Sequence, residues 1–99
     1  MEYPGSRIPQ TRQGIESLIR KMIKQHGTPL MLIQHKVLAK QIAQFRKRLS
    51  FVEPYYAIKS NPHPEIIKTF VQLGAGFDVA SATEIDWVLR AGAKPKNII

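Results

Sequence analysis

Pro54-Tyr55-Tyr56-Ala57-Ile58-Lys59-Ser60-Asn61-Pro62 is the stretch on which the reading of the fold turns. Tyrosine and isoleucine favour a pleated, packed surface, and the two prolines bound the run, so it predicts a short buried strand over 55–59. A turn and a helix follow at once. With side chains alternating, Tyr55, Ala57 and Lys59 are expected on one face and Tyr56 and Ile58 on the other. The first face places a small alanine beside a primary amine, which leaves room for a ligand. Taken alone, Lys59 reads as a solvated charge marking a strand end. Its surroundings decide otherwise.

From Pro54 onward the chain repeats one unit. The strand at 55–59 leads to a helix striped by Ile66, Ile67, Phe70 and Val71 and closed by Gly74. A strand at 77–80 leads to a helix carrying Ile85, Val88 and Leu89, closed by Gly92. Asn97-Ile98-Ile99 opens a third strand. Ser81-Ala82-Thr83-Glu84 spells a capping box, Ser81 capping the helix and Glu84 reaching back. Successive strand–helix units imply an α/β fold with a parallel sheet covered by helices. Alternation sets Asp78 and Ala80 against Phe77 and Val79. With the apolar pair toward the helices, Asp78 comes to the same side as Lys59, where a carboxylate favours a protonated nitrogen.

Upstream, residues 1–11 hold Pro4, Gly5 and Pro9 and read as an irregular lead-in. Ile15, Leu18, Ile19, Met22 and Ile23 form one stripe of an amphipathic helix over 14–25, with Gly27 as its stop. Leu30-Met31-Leu32-Ile33 reads as a short buried strand. A second helix over 36–49 carries Leu38, Ile42, Phe45 and Leu49 on one side. Arg46-Lys47-Arg48 falls in its last turn, where cations oppose the negative helix end. The resulting divisions are 1–29 (lead-in and amphipathic helix), 30–53 (strand and helix) and 54–99 (βα units).

Composition narrows the function classes. Ninety-nine residues make one small domain at most, or part of a larger one, and 43% apolar content argues for a folded chain. The absence of cysteine removes disulfides and thiolate metal sites. His26, His35 and His63 show no metal-ligand spacing and read as surface or capping residues, so no metal is expected. No apolar run approaches the ~20 residues that span a bilayer, and no signal-peptide pattern opens the chain. A cytoplasmic protein without a membrane partner is expected. The net charge of +8 raises nucleic acid as a partner. However, the positive residues are spread along helix faces with no aromatic platform between them, so a small basic nucleic-acid-binding module is the weaker alternative.

Tyr55-Tyr56-Ala57-Ile58-Lys59-Ser60-Asn61, followed by Gly74-Ala75-Gly76-Phe77-Asp78-Val79-Ala80-Ser81-Ala82-Thr83-Glu84-Ile85, closely resembles the start of the fold-type III pyridoxal-phosphate-dependent ornithine, diaminopimelate and arginine decarboxylases. The resemblance covers roughly residues 28–99. It implies an alanine-racemase-like (β/α)8 TIM-type barrel, of which two βα units and the opening of a third make only an N-terminal part; about 250 residues close such a barrel. The end on Ile98-Ile99, in mid-strand, fits that expectation.

The resemblance further implies that Lys59 carries pyridoxal 5'-phosphate as a Schiff base and that Ala57 and Asp78 line the cofactor site. Glu84 is a weaker cofactor contact, since its capping role suffices. The spelling of 77–84 is most similar to ornithine decarboxylases; diaminopimelate decarboxylases more often place Gly-Gly where this chain has Ala82-Thr83. The implied whole is a PLP-dependent carboxy-lyase acting on a small basic amino acid, supplying a diamine for polyamine biosynthesis and assembled as a homodimer. A diaminopimelate decarboxylase, or a non-catalytic PLP-binding regulatory homologue, is the alternative. In family members the phosphate loops, ring-stacking histidine and catalytic cysteine come later than the stretch matched here, so these residues alone are not expected to be active. The run at 30–33 is expected, by the same resemblance, to join a C-terminal β-domain.

Overall fold

The computed structural model describes residues 9–99, and most of the lead-in expected at 1–11 lies outside the described residues. The chain divides into two compact units, residues 1–35 and 36–99.

The first unit is built on helix α1 (Arg12–His26). The Thr11 hydroxyl accepts the Gly14 N–H at 3.1 Å, satisfying one of the orphan donors of the first turn. At the other end the Gly27 N–H donates to the Ile23 carbonyl at 2.7 Å, so the helix stops at the expected glycine. Arg12 and Glu16 pair at 3.0 Å on the exposed face, a contact of small value in water. The run at 30–33 is not the strand its composition suggests. An apolar run becomes a strand only beside a hydrogen-bonding neighbour, and the described ladder joins other segments. Met31, Leu32 and Ile33 are exposed, so the run is not buried either.

The second unit carries the repeat. Helix α2 (His35–Arg48) leads to strand β1 (Tyr55–Ala57) and a 3-10 turn at Ile58–Ser60. Helix α3 (Pro64–Gln72), strand β2 (Gly76–Asp78) and helix α4 (Ala82–Arg90) follow, and a second 3-10 turn spans Pro95–Asn97. β1 and β2 are parallel, with Tyr55 opposite Gly76, Tyr56 opposite Phe77 and Ala57 opposite Asp78. Ile98 adds a parallel bridge to Phe77, where the Ile99 N–H donates to the Phe77 carbonyl at 2.9 Å. The strand order is therefore sequential, as in an arc of the (β/α)8 barrel.

Three expected strand limits change, the third being the strand expected over 97–99, where Asn97 belongs to the 3-10 turn and Ile98 forms a single bridge. β1 ends at Ala57 and not at Lys59, because the backbone turns into a 3-10 helix at Ile58. β2 runs over Gly76–Asp78 and not 77–80. Burial still separates Phe77 from Asp78 within β2, while Tyr56 and Ala57 of β1 are both half-buried. Phe77 and Ile58 are fully buried, while Tyr55 and Asp78 are exposed. Ile42 of α2, Ile66, Ile67 and Phe70 of α3 and Val88 of α4 complete the same core.

Thr69, the one polar member of that buried set among the described residues, donates its hydroxyl to the Glu65 carbonyl at 2.8 Å. The α3 C-terminus is held from across the unit. The Arg46 guanidinium donates to the Leu73 carbonyl at 2.7 Å, an acceptor the helix itself leaves unpaired. Of the basic run at 46–48, this arginine is structural, through a partner 27 residues away. No helix among the described residues is long and apolar enough to cross a membrane.

Truncating the core side chain shared by both strands tests this packing. Phe77→Ala is expected to cost about 3–5 kcal/mol and Ile58→Val about 0.5–1.5 kcal/mol in urea unfolding. Equal midpoints for the two variants would show that the strand–helix core is not where Phe77 is placed.

Candidate functional site

The candidate site lies on the open face of the β1–β2 pair, toward the strands' C-terminal ends. Residues opposite one another in register project to the same face, so Ala57 and Asp78 stand side by side there. Two residues earlier, on the same face, the pair is Tyr55 and Gly76. A Cβ on Gly76 would sit 2.5 Å from the Tyr55 ring, so the ring leans over the glycine and covers that end of the face. At the other end stand the half-buried Ala57, whose side chain is a single methyl, and the exposed Asp78. C-terminal strand ends of a barrel are where its active sites are built.

Lys59 follows Ala57 by two residues but stands in the 3-10 turn, exposed. Strand alternation therefore does not set its direction, and the expected shared face with Tyr55 and Ala57 does not follow from the pleat. The turn is held by a chain of side-chain contacts. The Tyr56 ring stacks on Phe70 with centroids 4.3 Å apart and planes at 26°. Its hydroxyl donates to the Asn61 carbonyl at 2.9 Å, closing the backbone around residues 57–60. Asn61 Oδ1 accepts the His63 N–H at 3.1 Å, and His63 Nδ1 accepts the Glu65 N–H at 3.2 Å. His63 is thereby the N-cap of α3, with Pro64 opening the helix where a missing N–H costs nothing.

After β2, Ser81 and Glu84 form the expected capping box. Ser81 Oγ accepts the Glu84 N–H at 3.1 Å. Glu84 Oε2 accepts from the Ala80 N–H at 2.6 Å, one residue earlier than the cap residue's own N–H. That carboxylate oxygen is thus committed to the backbone at the end of β2.

Among the expected site residues, the fold brings Ala57 and Asp78 into register, sets Lys59 at the adjacent strand end, and engages Glu84 in the cap. The structure adds Tyr56, makes His63 a cap as its reading as a surface or capping residue allowed, and gives Arg46 its partner at the Leu73 carbonyl. No motif marks the Tyr56 hydroxyl, because its acceptor is a backbone carbonyl. A separate groove of about 820 Å³ between α3 and α4 is lined by His63, Glu65, Lys68, Trp87 and Arg90 among others, and by none of Ala57, Lys59 or Asp78. Groups of three or more metal-ligating side chains do not occur among the described residues.

Residues 35–99 match the family described as pyridoxal-dependent decarboxylase, pyridoxal binding domain. The ornithine decarboxylase of Leishmania donovani is 42% identical over 73 residues, 72% of this chain and 10% of that protein. Antizyme inhibitor 2 of Xenopus laevis is 46% identical over 56 residues, 57% of this chain and 12% of that protein. The lysine/ornithine decarboxylase of Vibrio vulnificus, solved with putrescine, superposes with a TM-score of 0.80 at 31% identity. That match covers 89% of this chain and 24% of the Vibrio chain. The chain thus spans a quarter or less of the length of these relatives.

Tyr56 provides a pH test of the turn. Burial pushes its phenol above the ordinary 10.0. Because the folded value is raised, the stabilisation is complete below about pH 10 and is lost as pH climbs through the folded value. A tyrosinate absorbance titration is expected to lose a late-ionising component in Tyr56→Phe. A titration unchanged by that substitution would contradict the assignment.

Proposed function

The chain belongs to the pyridoxal-dependent decarboxylase family, and on that premise we propose that it forms the cofactor-holding start of an enzyme that decarboxylates a basic amino acid. Lys59 is the residue that holds pyridoxal 5'-phosphate covalently. Ala57 and Asp78 line the same site, and residues 54–99 are the barrel's first βα units, preceded by 1–29 and 30–53.

The observation that carries the reading is the register pair Ala57–Asp78 on the open face, with the Lys59 turn directly beyond it. The donor set fits the cofactor. A primary amine is the nucleophile that an aldehyde requires, a carboxylate favours a protonated nitrogen next to it, and a methyl leaves space for a flat ring. When bound, pyridoxal phosphate supplies the electron sink for the carbanion left by departing carbon dioxide. The chain's own part is to hold that group and orient it. Glu84 acts indirectly, by fixing the backbone where β2 passes into α4.

For the substrate we propose ornithine, released as putrescine and used in polyamine biosynthesis. The support is the naming of the Leishmania relative and the diamine in the Vibrio structure. The resemblance supports a cytoplasmic homodimer for the complete protein. A second reading is a regulatory homologue without turnover, favoured by the identity to the Xenopus antizyme inhibitor. Carbon dioxide release from ornithine by the full-length polypeptide separates the two.

Lys59→Ala in the full-length polypeptide is expected to abolish both the visible absorbance of the lysine-bound cofactor and ornithine decarboxylation. Retained turnover would remove Lys59 from the role. Asp78→Asn is expected to weaken cofactor binding about tenfold, the loss of one charge-assisted contact. Glu84→Gln, which keeps an acceptor for the Ala80 N–H, is expected to leave cofactor affinity within about twofold, since the cap is preserved. Equal effects of the two substitutions on cofactor affinity would refute this division of labour.

A further inference from the structure

We propose that Tyr56 is a positioning residue for Lys59, acting through the backbone span between its hydroxyl and Asn61. The inference rests on the reading of Lys59 as the cofactor-holding lysine.

The geometry leads there in three steps. First, β1 stops at Ala57, so the pleat that orients strand residues no longer acts on Lys59. A lysine side chain has four rotatable carbons and much rotamer freedom to lose, and an amine aimed at one atom needs a firm base. Second, the Tyr56 hydroxyl donates to the Asn61 carbonyl at 2.9 Å and so ties together the backbone on either side of the turn. Lys59 lies inside the span that this bond closes. Third, the tyrosine cannot swing away freely. Its ring lies on Phe70, which is buried in the core, and the α3 N-cap continues from Asn61 through His63 to Glu65. The turn bearing Lys59 is thus braced against a helix and not only against the sheet.

Tyr56→Phe removes the hydroxyl and keeps the ring on Phe70, so it separates positioning from packing. The experiment uses the full-length polypeptide with free pyridoxal phosphate as the probe, trapping lysine adducts with borohydride and mapping them by mass spectrometry. The initial rate of adduct formation at Lys59 is expected to fall about fivefold, the size of one neutral hydrogen bond. Rates at exposed lysines such as Lys94 and Lys96 serve as the internal reference and are expected to stay level.

A wild-type rate at Lys59 in Tyr56→Phe overturns the proposal while leaving the cofactor-lysine reading in place. So does a deficit that vanishes when both proteins are compared at the same interval below their melting temperatures, because that outcome is loss of stability alone. An adduct mapping away from Lys59 in the unmodified protein overturns the cofactor-lysine reading itself, and the positioning role with it.

Discussion

The register of two short parallel strands is the constraint on which the rest of the structure depends. With Tyr56 opposite Phe77, both point into the layer covered by α3 and α4, and Ala57 and Asp78 are left together on the other side. A slip of one residue would carry Phe77 to the open face and push the Asp78 carboxylate among Ile66, Ile67 and Val88. Burying an unpaired carboxylate in such a layer costs several kcal/mol, far more than a few ladder bonds return. The site is therefore a consequence of the core. The same apolar burial that holds the unit together decides which two residues meet at the strand ends.

The parts legible in the sequence are those governed by short-range chemistry. Ser81 and Glu84 cap α4 because a hydroxyl and a carboxylate three residues apart can reach the first-turn donors without help from elsewhere. Gly74 stops the preceding helix for an equally local reason. Its φ of 71° lies in the left-handed region, where a side chain would be strained. The two-residue alternation of Phe77 and Asp78 is likewise written in neighbours, and their faces are as the pattern requires.

The parts that were not legible depend on partners far along the chain. Leu30-Met31-Leu32-Ile33 has strand composition, yet composition cannot supply the neighbouring strand that makes a ladder. Arg46 looks like one cation among three in a last turn, and only the folded chain shows it reaching the Leu73 carbonyl. The early end of β1 belongs to the same class. Ile58 has strong strand propensity, but its side chain is buried equally well from a 3-10 turn, so burial overrides propensity there.

That early end changes how the site must be held together. A lysine within a strand takes its direction from the pleat, and its neighbours across the sheet keep it there. A lysine in a turn has no such support, and turns are the parts of a fold that open most readily. The contacts around residues 56–65 answer that weakness in sequence: a ring packed on the core, a hydroxyl closing the turn, an amide side chain receiving the next N–H, and a histidine capping the helix. None of these groups needs to touch a ligand to matter. Each shortens the distance over which the backbone at Lys59 can drift, and the stiffness they lend comes from the same apolar layer that sets the register.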